Sequence, residues 1–327
     1  MRYKELIHKM QLNWESPVIT EKVFFEQNKD NPKYVAIPWA NFIEKLDKSY
    51  QYVYGDAKMP ENFNGKYFPR CIFQCYKIIK PYIPSSDCFT CCQHIHYRKL
   101  IKLFQALRIN VVYTCHKKVN ENYVTDFDLN EFKEYNFKCV LLKPCPLYAV
   151  NIENSERNEM IKKFSNDQLI NKDRKLLYSF QGSYNKEFYI TDIREKIFKL
   201  DHPDDVHIFK IDQWCYYNKS KDTIDRLKKS YNKLLLESKF SLCPSGTGPN
   251  SIRFWEALGA GSIPVLLSDA LDLPYHELWN ESIIRIKEED ISELNMILKG
   301  ISNEKQKEMR KNCIDIYNHF KDNYRNL

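Results

Sequence analysis

Hydrophobic positions along this chain alternate between two rhythms from end to end. Short runs rich in β-branched, aromatic or cysteine residues have the length of buried strands: YVAIP (34–38), YQYVY (50–54), CFTCCQ (88–93), NVVYTC (110–115) and KCVLL (138–142). Between them, HYRKLIKLFQALR (96–108) sets Leu100, Leu103, Phe104 and Leu107 at helical spacing. Residues 151–173 are polar and carry no strand signal. They predict a boundary between an amino-terminal domain over 1–160 and a carboxy-terminal domain over 161–327.

The second half repeats the rhythm. KLLYSFQG (175–182) reads as a strand ending on glycine, followed by a helix near 186–199, the strand VHIFK (206–210) and a helix near 221–237. KFSLCP (239–244) leads through a glycine-rich loop into a helix near 251–260. SIPVLL (262–267) and SIIRI (282–286) read as strands, and 288–299 and 303–325 as helices. In the last helix Met309, Cys313, Ile316 and Phe320 recur at helical spacing, as in a packed strut that could cross back to the first domain. Its basic start is a candidate for peripheral contact with anionic lipid, against the plainer account of a solvated face. Strand–helix alternation with short connections predicts parallel sheets covered on both faces, an α/β protein of two Rossmann-like domains. Ligands of open parallel sheets bind at the carboxyl ends of the strands, so a central cleft between the halves is the expected site.

No run approaches the ~18 apolar residues of a membrane span. The opening MRYKELIHKMQLNWESP lacks the apolar core of a signal peptide. A cytoplasmic protein without a transmembrane segment is the expectation. Eleven cysteines in such a chain read as reduced thiols that serve as small hydrophobes. The net charge of +7 suits anionic ligands such as nucleotides, yet 50 basic against 43 acidic residues is a mixed surface. No basic block has the density that nucleic-acid binding requires, so no nucleic-acid partner is expected.

Glycine is scarce and unevenly placed. The chain has 8 glycines, where typical usage of ~7% would give roughly 20, and Gly246, Gly248, Gly259 and Gly261 crowd one segment. In KFSLCPSGTGPNSIRFWEALGAGSIPVLLSD (239–269) a strand runs into a loop, a helix and a second strand. Gly246 and Gly248 allow a backbone to approach a ligand closely, and Asn250 or Ser251 is suited to cap the helix. Free amides and the dipole at that helix start favour a diphosphate, and Arg253 in the first turn can pair with its oxygens. Glu256, one turn on, stands roughly 8 Å from the helix start and could accept from two ribose hydroxyls. Ile252, Trp255 and Gly259 form the opposite stripe, expected to face the sheet. The competing account of Arg253 and Glu256 is a surface ion pair. The segment is neither a Walker loop nor a GxGxxG fingerprint.

These residues resemble the carboxy-terminal signature of exostosin-like glycosyltransferases: Phe240, Leu242, Pro244, Gly246, Ser251, Arg253, Phe254, Glu256, Ala257, Leu258, Gly261, Ile263, Pro264 and Val265, continued by Asp269 and Leu273-Pro274. Upstream, RKLLYSFQG with Ile193-Arg194 matches the family's Phe-x-Gly and Ile-Arg element. The resemblance covers roughly residues 174–287. It implies a GT-B fold and an inverting hexosyl- or pentosyltransferase that takes a nucleotide-sugar, commonly UDP-linked, to a glycan or glycolipid acceptor, with no obligatory cofactor. By the same resemblance Ser251 and Arg253 contact the diphosphate, Glu256 the ribose, Gln181 and Gly182 border the donor, and Arg194 adds charge compensation. Pro244, Gly246 and Asn250 of the loop are further expected donor-binding residues. Two other readings stay open: a fucosyltransferase-like GT-B enzyme using GDP-fucose, and a catalytically silent glycan-binding partner subunit.

Inverting transfer needs a base for the acceptor hydroxyl. His94 and His116, each just past a predicted strand, are the expected candidates, with His96, Asp56 and Asp87 behind them. Cys88, Cys91, Cys92, His94 and His96 invite a zinc reading, but no second ligand pair at a standard spacing accompanies them, and no metal is expected. Asp126-Phe127-Asp128 resembles a DxD motif; Asp128 followed by Glu131 reads more simply as a capping box.

Overall fold

The computed structural model describes residues 3–54, 70–84, 87–124, 140–211 and 220–326. Asp56, Asp126, Asp128 and Glu131 lie outside the described residues. By contacts the chain divides into two units: Met1–Pro146 with Asp272–Pro274 and Tyr324–Leu327, and Leu147–Leu271 with Tyr275–Asn323.

The first unit opens with α1 (Lys4–Lys9), α2 (Thr20–Asn28), α3 (Trp39–Tyr54) and α4 (Arg70–Ile79). Strand β1 (Cys88–Cys92) follows, then α5 (Ile101–Ala106), β2 (Ile109–Thr114), the short β3 (Tyr123–Val124) and β4 (Val140–Pro144). β1, β2 and β4 are parallel, and β3 pairs antiparallel on the far side of β4. Every residue of β1 is buried, as a parallel strand covered on both faces requires. Trp39, Phe42, Ile43 and Leu46 of α3 share one core with Leu100, Phe104, Val112 and Leu142. The Trp39 indole donates to Thr90 Oγ1 at 2.7 Å, so the polar end of a buried ring is satisfied.

Two expected strands are corrected here. YQYVY (50–54) is the end of α3. Trp39, Phe42, Ile43 and Leu46 establish an i, i+3, i+4, i+7 stripe, and that period carries through a stretch whose aromatic composition favours strand. YVAIP (34–38) makes a single parallel bridge, Tyr34 to Phe89, before α3 begins. Pro38 has no amide to continue a ladder.

The second unit contains α6 (Val150–Glu153), α7 (Asn166–Asn171), β5 (Leu176–Gly182), α8 (Ile193–Lys199), β6 (Val206–Lys210), α9 (Lys221–Glu237), β7 (Ser238–Pro244) and α10 (Ile252–Gly259). It continues with β8 (Ile263–Leu267), α11 (Trp279–Ser282), β9 (Ile284–Arg285), α12 (Leu294–Lys299) and α13 (Asn303–Asp322). Its sheet has the order β6-β5-β7-β8-β9, with all pairs parallel. Counted within the unit this is the doubly wound order 2-1-3-4-5, whose switch point lies between β5 and β7. The core joins Tyr178, Phe180, Phe240, Leu242, Ile263, Val265 and Leu267 to Ile193, Ile197, Leu294 and Leu298. The α/β class is as the sequence predicts, with an all-parallel sheet in the second unit and, in the first, a parallel sheet carrying one short antiparallel edge strand.

Details around α10 differ from expectation. The stripe of Trp255 and Gly259 faces helices rather than the sheet. Trp255 stacks edge-on with Phe320 at 5.6 Å, and a Cβ on Gly259 would come within 3.0 Å of Ile152 and Tyr317. Here α13 packs along α10, with Met309, Cys313, Ile316 and Phe320 buried. The whole of α13 belongs to the second unit, and only Tyr324–Leu327 beyond it joins the first. Gly261 takes φ +63°, the left-handed conformation that ends the helix and that other residues adopt at a cost.

Candidate functional site

The switch point of the second sheet is where a crevice forms, because the helices after β5 and β7 depart to opposite sides. Gly182 ends β5, Pro244 ends β7, and Ser245 and Gly246 follow directly after it. Arg194, in the first turn of α8, reaches across both strand ends. Its Nε donates to Ser245 O at 2.8 Å and one terminal nitrogen donates to Ser183 O at 3.1 Å. The Tyr189 ring lies 4.5 Å from its guanidinium carbon. A Cβ on Gly246 would press on the Arg194 guanidinium, and the Gly246 carbonyl accepts from Ile190 N–H at 3.0 Å.

Arg253 approaches the same strand end from α10. Its guanidinium donates to Gln181 O and sits 4.5 Å from the Phe180 ring, while Arg194 sits 5.6 Å from that ring. Two cations thus flank one aromatic ring at the carboxyl end of β5. A guanidinium fork has five N–H groups in a planar array, suited to paired bonds with an anion. The Gln181 side chain turns away from them, donating to Leu227 O and accepting from Ser230.

Ser251 occupies the N-cap position of α10 without a side-chain bond to the helix. Asn250 does the ordering: its Oδ1 accepts from Ser251 N–H at 2.8 Å and from the Trp255 indole at 3.2 Å. Phe254 N–H donates to Ser251 O at 3.0 Å, and the dipole adds positive potential at the start of α10, where the amides ahead of it have no i−4 acceptor.

Glu256 is buried, with 2% of its surface exposed. Oε1 accepts from Asn151 N–H at 2.9 Å and from Asn151 Nδ2 at 2.7 Å; Oε2 accepts from the Tyr231 hydroxyl at 2.6 Å. The surface ion pair with Arg253 is therefore not what Glu256 makes. Asn151 and Tyr231 were not legible as partners, because α6 and α9 meet α10 only in the fold. Tyr231 also places its ring 5.4 Å from the Arg253 guanidinium.

In the first unit, His94 follows β1 and His116 follows β2. The His94 and His96 rings lie 5.4 Å apart, and His94 Nδ1 accepts from His96 N–H at 3.0 Å. Burial, aided by the His96 charge, pushes His94 down to about 3 and His116 to about 4, so both are neutral at pH 7. His116 Nδ1 is buried with no hydrogen-bond partner among the described residues. Asp87 lies just before β1, at the opposite end of that strand, and accepts from Asn110 at 3.2 Å. Lys117 is almost fully buried and pairs with Asp272, also bonding Asn122 Oδ1 at 3.1 Å.

The cysteines of β1 point to both faces. Cys88 and Cys92 join the core, while Cys91 Sγ lies 4.0 Å from Cys145 Sγ, which is 3.6 Å from Cys115 Sγ. Burial pushes the Cys91 thiol up to about 12. Among the described residues no group of His, Cys, Asp or Glu is arranged to hold a metal ion. No helix among them is long and apolar enough to cross a membrane.

Comparison with known proteins bears on the second unit. Residues 151–301 match the exostosin GT47 domain. An exostosin-1 homolog of Caenorhabditis elegans is 30% identical over 181 residues, covering 52% of this chain and 45% of the relative. A probable glycosyltransferase of Arabidopsis thaliana is 33% identical over 96 residues, covering 29% of this chain and 18% of the relative. Bovine exostosin-1 is 26% identical over 141 residues, covering 40% and 19%. The chain thus spans less than half the length of the curated relatives it matches. The crystal structure of Anabaena HepE in complex with UDP and glucose aligns with a TM-score of 0.39 and 12% identity, covering 77% of this chain and 71% of that one.

Proposed function

We propose that this chain, whose residues 151–301 match the exostosin GT47 domain, is an exostosin-like, inverting GT-B glycosyltransferase moving a sugar from a UDP-linked donor to a glycan or glycolipid acceptor. The observation that carries the proposal is the pair Arg194 and Arg253 flanking Phe180 at the switch point, beside the Gly246 backbone and the start of α10. A diphosphate there would meet two planar cations and a helix N-terminus.

In the proposed reaction the acceptor oxygen attacks the anomeric carbon while the bond from that carbon to the diphosphate oxygen breaks. The electron pair leaves with the nucleoside diphosphate, whose developing charge falls to Arg194, Arg253 and the α10 amides. The acceptor proton passes to an imidazole, and His94 and His116 are the groups proposed for it. Both are held neutral, the form a base needs, though burial makes each a weak acceptor until charge develops nearby. Charge compensation is assigned to protein groups, so the proposal includes no obligatory cofactor.

Titration of UDP, GDP and CDP into the protein by calorimetry tests this reading. UDP is expected to bind best, and Arg253→Ala to weaken it at least tenfold. Equal binding of UDP by parent and variant would remove Arg253 from the site, and a preference for GDP would favour the fucosyltransferase-like reading.

A further inference from the structure

Glu256 has less capacity for a ligand than its sequence position suggests. A carboxylate offers about four lone-pair sites. Asn151 fills two on Oε1 and Tyr231 one on Oε2, which leaves Glu256 a single acceptor site on Oε2. A ribose diol has two hydroxyls to place.

The second acceptor is beside it. Because Asn151 Nδ2 donates to Glu256, the amide is fixed with Oδ1 turned away from the carboxylate. That Oδ1 is buried and has no hydrogen-bond partner among the described residues. A buried carbonyl oxygen without a donor is uncommon and calls for one. A hydroxyl supplies it, whereas another carboxylate or carbonyl does not. Both acceptors belong to the same bonded cluster of α6, α9 and α10.

We infer that the donor's ribose diol is divided between the two residues, one hydroxyl to Glu256 Oε2 and the other to Asn151 Oδ1. Tyr231 is the positioning residue that enforces the division: its hydroxyl occupies the carboxylate site the second ribose hydroxyl would otherwise take. The same tyrosine ring rests against Arg253, so it sets both donor-binding residues of α10 at once. The inference rests on the nucleotide-sugar reading above and deepens it.

The test uses the whole chain and three probes: UDP, 2′-deoxy-UDP and 3′-deoxy-UDP, with affinities from calorimetry. The parent is expected to bind both deoxy nucleotides about tenfold more weakly than UDP, as loss of one hydrogen bond to a buried acceptor implies. Asn151→Ala should abolish discrimination at one hydroxyl, and Glu256→Gln should change discrimination at the other. Tyr231→Phe keeps the ring and separates the two explanations of an Asn151 effect. If Asn151 acts only by steadying Glu256, Asn151→Ala and Tyr231→Phe will alter the same hydroxyl, and the inference fails. It also fails if Asn151→Ala leaves both ratios at their parental values. Absence of UDP binding by the parent would overturn the donor reading itself, and the inference with it.

Discussion

Arg194 fills the space beside Gly246: a Cβ on that glycine would come within 3.1 Å of the guanidinium Nη2. The arginine can yield only by loosening its contacts with Ser245 O, Ser183 O and the Tyr189 ring. Gly246→Ala should therefore displace the guanidinium and lower UDP affinity about tenfold. Stability should change by less than about 1 kcal/mol, because the strain can be relieved at a partly exposed side chain. Calorimetry paired with a thermal melt checks both halves.

The Lys117–Asp272 pair should respond asymmetrically to mutation. Asp272→Ala leaves a buried ammonium with Asn122 as its remaining side-chain partner among the described residues and should cost about 3 kcal/mol. Lys117→Met leaves a carboxylate with 36% of its side chain exposed to water, and should cost distinctly less. Urea unfolding of the two variants measures the difference; equal losses would mean the pair contributes by packing alone.

Stability should fall on the acid side through the first unit's histidines. His116 titrates at about 4 in the folded protein and near 6.5 when unfolded. Between those values the unfolded chain binds more protons, so the contribution is fully present above pH 6.5 and is lost as pH falls toward 4. Glu21, fully buried and raised to about 8, acts in the opposite sense: the folded protein binds the extra proton, and stability falls as pH rises from 4.5 to 8. Unfolding free energies of the parent and His116→Gln at pH 7.5 and pH 5 isolate the histidine. The parent should lose on the order of 2 kcal/mol more than the variant.

Gly261→Ala should be destabilising by about 1–2 kcal/mol, since φ +63° is unfavourable for a residue with a Cβ. The new methyl would also lie 3.3 Å from Ile314. A thermal melt should show the loss, with UDP affinity retained in the folded fraction.

The second unit was largely legible in the sequence because its signals are local. The strand KFSLCP, the glycine loop and the helix start are contiguous, and Arg253 and Glu256 share one helix face by spacing alone. What could not be read lies across elements. Tyr231 and Asn151 reach Glu256 from α9 and α6, and nothing in their own surroundings marks them as partners of a carboxylate. The same holds for the Trp255–Gly259 stripe: apolar periodicity says a face is covered, and only the fold says that α13 covers it. YQYVY was misread for a different reason. Its aromatic composition suits a strand, but the stripe begun at Trp39 had already set a helical period upstream.

The account turns on one placement, the donor diphosphate at the carboxyl ends of β5 and β7, and a crystal structure of the protein with bound UDP tests it most directly. The diphosphate is expected within hydrogen-bond distance of the Arg253 guanidinium and the first amides of α10, with Arg194 alongside. UDP seated elsewhere, with Arg253 still bonded only to Gln181 O, would contradict it.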